Sequence, residues 1–248
     1  MQDTSSKILL SINLPSSWQD LSEKQLEFVF RLLASGMSPC EMKIVSLLRW
    51  TKIKPVLRAD MHGEAMYLIK HEKKKGLLTL RQLTDISEYL NWMEELPTYP
   101  LRPEKMARHH AVAANFEDVP FQVLLMVDNY YQGYIMTKND EMLDEIGQML
   151  YKREGHTFKP WQRVAIFYWV ASLKDYLARK YSTFFQPAAS TSLAPQSIEQ
   201  AMNTQIRALT KGDITKEKEV LAMDCHRALA ELEAQAREYE EMKQKYKS

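Results

Sequence analysis

The chain of 248 residues is almost neutral, with 33 Lys and Arg residues against 32 Asp and Glu residues. Its 45% apolar content is enough for a packed core, while 7 Gly and 10 Pro are too few for a loop-rich sandwich or a collagen-like chain. Two cysteines exclude a disulfide framework and a four-thiolate zinc site, and they favour a reducing compartment. No apolar run is long enough to cross a membrane, and the N-terminus lacks a signal-peptide pattern, so we expect a cytoplasmic protein.

Helix-start signals dominate the first part of the chain. Residues 22–25 and 38–41 each form a capping box ahead of an apolar repeat, which predicts an αα-hairpin over 22–50. Residues 8–14 partly alternate in polarity and predict a short edge strand or an extended arm. Periodicity is weak over 56–75, where no element is predicted.

Further helices are predicted from residue 79 onward. Helical spacing runs from Thr79 to Pro97, and Pro103, Pro120, Asn139 and Pro160 each stand where a helix is expected to begin. The helix after Pro160 is apolar on nearly all sides and is expected to be the central core helix. The sequence therefore predicts an N-terminal multi-helix domain over residues 1–181 with a short extended arm.

The C-terminal part is predicted to be separate. Residues 182–197 are rich in Ser, Ala and Pro and predict a linker, and residues 198–248 form a helical segment. Eight positions then alternate steps of four and three, which is typical of a coiled-coil seam, and seven of them are apolar or aromatic: 221, 225, 228, 232, 235, 239, 242 and 246, with Gln at 235. A helix of about 32 residues and about 48 Å results. The predicted fold is all-α, ending in this long coiled-coil-like helix.

Four residues of the seam are predicted to anchor a partner: Leu221, Leu232, Tyr239 and Met242. The partner is expected to be another helical protein, because an amphipathic helix recognises its target through such anchors. Two alternatives stay open. The seam either folds back on residues 20–180 or pairs with a second copy of the chain, and in both cases it serves stability alone.

Signatures of catalysis are missing. The chain contains no dinucleotide-binding loop, P-loop, zinc-protease, hydrolase or Cys-x-x-Cys motif, so we predict a non-enzymatic protein without cofactor or metal. His109 and His110 would point about 100° apart on a helix and would not share one ion. The acidic group at Asp140, Glu141, Asp144 and Glu145 follows a predicted cap, where the helix dipole favours negative charge, so we assign it to structure.

A basic segment, residues 43–81, supplies the second functional hypothesis. It contains ten Lys and Arg residues and three acids, and with the αα-hairpin it resembles a helix-turn-helix nucleic-acid-binding module. The second helix of the hairpin is largely apolar, which favours a solvated or protein-facing surface instead. The candidate phosphate-binding residues are Lys52, Lys54, Arg58, Lys73, Lys74 and Lys75.

Aromatic residues concentrate in two apolar helices. A stacking platform for bases would need interleaved cations, which the sequence does not place beside them, so we assign this group to the core. Its members are Tyr130, Tyr131, Tyr134, Phe167, Tyr168 and Trp169.

Three stretches carry a family resemblance: LPSSWQDLSEKQLEFVFRLL at 14–33, NYYQG at 129–133 and QIRALTKGD at 205–213. Together they resemble proteins encoded in prophage-like tail or contractile-injection gene modules. Such proteins without enzymatic signatures are commonly tail assembly chaperones or structural accessories. The resemblance implies a helical binding or assembly protein with a tape-measure-like partner, and it supplies no catalytic residues. Nucleic-acid binding through the basic segment remains the alternative.

Overall fold

The computed structural model describes residues 14–59, 63, 65–71, 74–186 and 198–246. The protein is mostly helical, with 64% helix and 9% strand. It divides into two compact units, Met1–Pro97 and Thr98–Ser248. The prediction of a helical protein is therefore confirmed, but two small antiparallel sheets make the all-α description incomplete. The predicted strand at 8–14 lies outside the described residues.

The first unit begins with the predicted αα-hairpin, α1 (Glu23–Leu33) and α2 (Pro39–Thr51). Both capping boxes form, since the Ser22 amide donates to Gln25 Oε1 at 3.0 Å and the Ser38 amide donates to Glu41 Oε2 at 2.8 Å. Each side-chain acceptor satisfies an amide that the helix itself leaves without a partner. The hairpin prediction is thus confirmed.

A three-stranded antiparallel sheet follows, in the order β1 (Lys54–Ala59), β2 (Ala65–His71) and β3 (Lys74–Thr79). No element was predicted over most of this stretch. Leu78 faces the core with 1% of its surface exposed, whereas Leu77 points to the other face and is 49% exposed. Two consecutive leucines on opposite faces conceal the alternation that normally marks a half-buried strand.

The first unit closes with α3 (Leu80–Ser87) and a 3-10 helix over Glu88–Glu94. Trp18 ties this end of the unit to its start, because its indole N–H donates to the carbonyl oxygens of Trp92 and Glu95 at 3.1 and 2.9 Å. The Trp92 indole donates in return to Pro15 O at 3.1 Å. These bonds satisfy two polar groups in a largely apolar environment.

The second unit contains a short hairpin, β4 (Lys105–Met106) and β5 (His109–His110), and six described helices. The predicted helix starts at Pro120, Asn139 and Pro160 are observed, but the one at Pro103 is wrong, because the chain there leads into β4. The helices are α4 (Phe121–Thr137), α5 (Asp140–Leu150), α6 (Pro160–Lys180), α7 (Ile198–Thr210), α8 (Glu217–Ala222) and α9 (Cys225–Lys245). As predicted, α6 is the core helix: it contains nine buried residues, including Trp169, whose indole donates to Ala114 O at 2.7 Å.

The long C-terminal helix is broken, which corrects the prediction of one coiled-coil-like helix. Met223 is extended, and its carbonyl oxygen accepts the amide of Phe121 at 2.7 Å, while the Cys225 amide donates to Val119 O at 2.8 Å. Asp224 then caps a new helix by accepting the Arg227 amide at 3.0 Å. The last helix, α9, is therefore 21 residues long, about 31 Å.

The compact units also divide elsewhere than at the predicted linker. The sequence predicts a domain over 1–181 and a separate segment over 198–248, but α7, α8 and α9 all contact α4 within one unit. Apolar stripes on these helices bury against α4 and close the same core. Most of the predicted linker, residues 187–197, lies outside the described residues.

Candidate partner-binding surface

The N-terminal half of α9 packs inside the second unit. Cys225, Ala228, Leu229 and Leu232 are buried, and Leu232 keeps only 4% of its surface exposed. Leu221 lies on α8, before the helix break, and is half-buried. Leu232 therefore packs on the chain itself, as in the fold-back alternative, and the helix break separates Leu221 from the rest of the seam.

A buried carboxylate fixes this half of α9 to the turn after α6. Glu233 accepts the backbone amide of Phe184 at 2.7 Å and that of Thr183 at 3.3 Å, and the Arg237 guanidinium donates to it at 3.0 Å. Burial raises the pKa of Glu233, but these hydrogen bonds outweigh burial and hold its pKa below the ordinary value. The carboxylate thus stays ionised and anchors the helix.

His226 adds a second anchor at the start of α9. Its Nε2 lies 2.7 Å from Asn115 O, and a carbonyl can only accept, so Nε2 carries the proton. Nδ1 lies 2.9 Å from the Tyr181 hydroxyl, which can donate to it. The neighbouring Cys225 thiol donates to Phe116 O at 3.2 Å, and burial raises its pKa to about 12. The Cys225 thiol therefore stays protonated at neutral pH and acts as a buried hydrogen-bond donor.

The C-terminal half of α9 is exposed. Tyr239, Met242 and Tyr246 show 62%, 53% and 91% of their surfaces. They recur at i, i+3 and i+7, so they lie on one side of the helix. We call these three residues the exposed α9 stripe. It contains two of the predicted anchors, Tyr239 and Met242, and adds Tyr246, which belongs to the same seam in the sequence.

The charged residues flanking the stripe have opposite signs along the helix. Glu238 precedes its first member, and Lys243 and Lys245 lie near its end. Lys243 lies 3.5 Å from Glu240 one turn away. Acids toward the start and lysines toward the end also suit the dipole of the helix.

The predicted phosphate-binding lysines form a partial surface. Lys52, Lys54 and Lys75 are exposed, and the strand register places Lys54 and Lys75 on the same face of the sheet as Leu77. Arg58 and Lys74 occupy strand positions, but their side chains lie outside the described part of the structure, as does all of Lys73.

Other cations of the basic segment have partners within the chain. Lys43 Nζ lies 2.5 Å from Glu94 Oε1 and 2.7 Å from Asn91 Oδ1, and the Arg49 guanidinium lies 4.1 Å above the Phe28 ring. Met42 and Leu47 of α2 are buried, so this helix faces the core as the sequence indicated. These contacts reduce the charge that α2 presents to a nucleic acid.

Two of the four acids on α5, Asp140 and Asp144, bind the guanidinium of Arg163. Arg163 binds Asp144 through two parallel hydrogen bonds of 2.9 and 2.6 Å and reaches Asp140 at 3.0 Å. Asp144 also accepts the Phe158 amide at 2.9 Å. The hydrogen bonds to Asp144 raise the pKa of Arg163. The Asp144 carboxylate therefore joins α5 to Arg163 of α6 and to the backbone that precedes α6.

The adjacent histidines lie on β5 and not on a helix. Successive strand residues point to opposite faces, so His109 and His110 diverge more than the helical geometry predicted. His110 Nδ1 lies 3.3 Å from Glu104 Oε1, so the imidazole has a carboxylate beside it. Within the described residues, no group of three or more potential ligands is arranged to hold a metal ion.

The aromatic group is only partly a core. Trp169 is buried, but Tyr131, Tyr134 and Phe167 are half-buried and contact one another with ring centroids 5.6 and 5.7 Å apart. The ammonium groups of Lys174 and Lys138 lie 5.6 and 5.5 Å from the Tyr131 and Tyr134 rings. Cations therefore do lie beside these rings in the folded protein. The sequence did not reveal them, because Lys138 comes from the end of α4 and Lys174 from α6.

A cavity of about 340 Å³ lies among α4, α6, α7 and α9. Its lining is mostly apolar, and its charged members are Asp175 and the Asp128–Lys174 ion pair.

Comparison with known proteins leaves the chain without an assignment. No family model matches it, and no curated protein and no solved structure is significantly similar to it. Among the described helices, none combines the length and the apolar character needed to cross a bilayer.

Proposed function

We propose that the protein is a non-enzymatic binding or assembly factor that docks a helical partner on the exposed α9 stripe. The observation that carries this proposal is the pairing of a firmly anchored N-terminal half of α9 with three large, exposed side chains on its C-terminal half. Solvated aromatic and Met side chains clustered on one helix face are typical of recognition sites.

The energetics favour recognition by this stripe. Burying a large apolar side chain contributes roughly 1.5–3 kcal/mol, so Tyr239, Met242 and Tyr246 supply a useful gross binding energy. Association costs rotational freedom and side-chain entropy, but the helix is already folded and anchored by Glu233, so little further ordering is needed. A moderate affinity follows, which suits a factor that must release its partner during assembly.

The resemblance to tail-module proteins gives the proposal its partner class. We infer from this resemblance that the partner is another helical chain, such as a tape-measure-like protein. The stripe offers anchors at i, i+3 and i+7, the spacing with which one helix packs on another.

The test is a binding titration with the purified helical tape-measure-like protein of the same gene module. The variant combines Tyr239→Ser, Met242→Ser and Tyr246→Ser, and the control combines Glu241→Ser and Gln244→Ser on another exposed side of the same turns. We expect the stripe variant to lose at least about tenfold in affinity, because three anchors are removed, and the control to bind like wild type. Equal binding by the stripe variant refutes the proposal.

Nucleic-acid binding is the second candidate, favoured by the exposed Lys54 and Lys75 on one sheet face with Lys52 nearby in sequence. A binder that neutralises phosphates loses affinity steeply with salt, because counterions are released on association. A salt series with single- and double-stranded oligonucleotides measures this. Absence of binding at low salt eliminates the candidate.

A further inference from the structure

We propose that the exposed α9 stripe also pairs with the same stripe of a second copy of this chain, with the two helices antiparallel. This inference rests on the proposed function, because it names an occupant of the same surface. The self-pair would cover the stripe until a helical partner displaces the second copy.

The spacing of the stripe defines the register. In heptad terms Tyr239 and Tyr246 occupy a positions, and Gln235 and Met242 occupy d positions. Antiparallel helices pack a layers against d layers, so Tyr239 of each copy lies against Met242 of the other. Tyr246 of each copy then lies against the half-buried Gln235, whose amide nitrogen donates to Glu231 at 3.0 Å and whose amide oxygen can accept from the phenol. Each copy thus contributes residues 235–246, about 12 residues or roughly 18 Å of helix.

Charge complementarity supports this register. Glu238 and Lys245 both occupy g positions, and g positions face each other in antiparallel pairs. Glu238 of each copy therefore faces Lys245 of the other, which gives two opposite-charge contacts. Lys243, at an e position, faces Ala236, so no like charges meet at the flanks.

The fold disfavours the alternative registers. Sliding the second helix by one heptad toward the start of α9 would pair it with Leu232, which is already buried in its own unit. Sliding it one heptad the other way would leave Tyr239 without a facing layer among the described residues. The proposed register pairs the greatest length of stripe that the fold leaves exposed.

The fold also disfavours a parallel pair. The seam continues toward the N-terminus through Cys225, Ala228 and Leu232, and the same unit covers these residues. A parallel second helix would run along this covered part of the seam and collide with the unit. The antiparallel orientation places the second unit of one copy and the second unit of the other copy at opposite ends of the paired segment.

Such a pair is small, which makes it exchangeable. Two segments of about 12 residues bury less than the roughly 1,200–2,000 Å² of a stable interface, so the dimer must depend on concentration. A partner with a longer seam offers more contact and replaces the second copy by mass action.

Sedimentation equilibrium of the full chain over a wide concentration range tests the pair. We expect reversible dimerisation by wild type, and a dissociation constant raised about tenfold or more by Glu238→Lys or by Lys245→Glu, because each change creates two like-charge contacts. The double variant restores the opposite charges and should regain wild-type dimerisation. Glu241→Lys, on the outer face, is the control and should dimerise like wild type.

Disulfide trapping tests the orientation in a Cys40→Ser background, which removes the exposed native thiol. A Glu238→Cys chain mixed with a Lys245→Cys chain should form the mixed disulfide, located by mass spectrometry of the linked peptides. Links of 238 to 238 in preference to the mixed product overturn the antiparallel register.

The two proposals fail differently. A chain that is monomeric at every concentration overturns the self-pair, while loss of partner binding in the stripe variant still supports the proposed function. A charge-dependent dimer whose stripe variant binds the helical partner undiminished overturns the proposed function and leaves self-association as the role of the stripe.

Discussion

Replacing Gly147 by alanine tests the closest approach between α5 and its neighbours. A Cβ atom added at this position would lie 2.5 Å from Cε2 of Phe158 and 2.6 Å from Cδ1 of Ile166. Both neighbours are buried, so neither ring nor methyl group has free space into which it can retreat. Overpacking of this kind costs about 1–3 kcal/mol.

A second effect acts in the opposite direction. Alanine has a better helix propensity than glycine by about 1 kcal/mol, because glycine loses more backbone entropy on folding. The steric cost exceeds this gain where two packed side chains must move, and we expect Gly147→Ala to lower the free energy of unfolding by about 1–2 kcal/mol. The melting temperature should fall by roughly 2–4 °C for each kcal/mol.

Gly133 of α4 provides the matched control. The nearest atom to a Cβ added there is Sδ of Met142 at 3.5 Å, an ordinary van der Waals contact. Only the propensity gain remains, so Gly133→Ala should raise stability by about 0.5–1 kcal/mol. Urea unfolding followed by far-UV circular dichroism measures both variants at equal m-value. A Gly147→Ala protein that is as stable as Gly133→Ala would refute the packing of α5 against α6.

Three further predictions concern charged and thiol groups. Asp144→Ala should lower the free energy of unfolding by about 3 kcal/mol in urea titrations, because it strands a mostly buried guanidinium, while exposed Glu145→Ala should change it by no more than about 0.5 kcal/mol. Glu233→Gln should lower the free energy of unfolding at neutral pH. Because the pKa of Glu233 is lowered in the folded state, the ionised carboxylate stabilises the fold fully above the ordinary pKa of 4.5 and loses this effect as the pH falls through the folded pKa. The unfolding midpoints of variant and wild type should therefore converge in acid. Iodoacetamide at neutral pH should modify exposed Cys40 and spare Cys225, as read by mass spectrometry.

Local signals in the sequence predict the helices well. The capping boxes at Ser22 and Ser38 and the cap at Asn139 act through side chains within three residues, so no tertiary information is needed to recognise them. The same reasoning explains why the acidic group on α5 could be assigned to structure. Its actual partner, Arg163, is 19 residues from Asp144 along the chain, and no local rule identifies it.

The sequence did not predict the strands β1 to β3 or the helix break at residue 223, and both depend on contacts between residues distant in the chain. The strands β1 to β3 are stabilised by pairing between residues up to 14 apart in register, such as Lys54 with Leu68, and their apolar pattern is not periodic. The break before α9 is likewise fixed by Phe121, whose amide bonds to Met223 from about a hundred residues away. A heptad pattern that continues across residue 223 gives no sign of it.

The break changes what the seam can do. A continuous helix of about 32 residues would have offered Leu221 and Leu232 to the same partner as Tyr239 and Met242. With the break, Leu232 stabilises the second unit, and the Glu233 carboxylate ties α9 to the turn after α6.

The same division separates the exposed α9 stripe from the packing of the second unit. Substitutions at Tyr239, Met242 or Tyr246 remove contacts that the unit itself does not use, so they should change association without changing the free energy of unfolding beyond about 0.5 kcal/mol. Substitution of Leu232 by alanine removes a core side chain and should cost about 2–5 kcal/mol. One heptad seam thus has a buried half and an exposed half, and the loss of stability on substitution identifies where one gives way to the other.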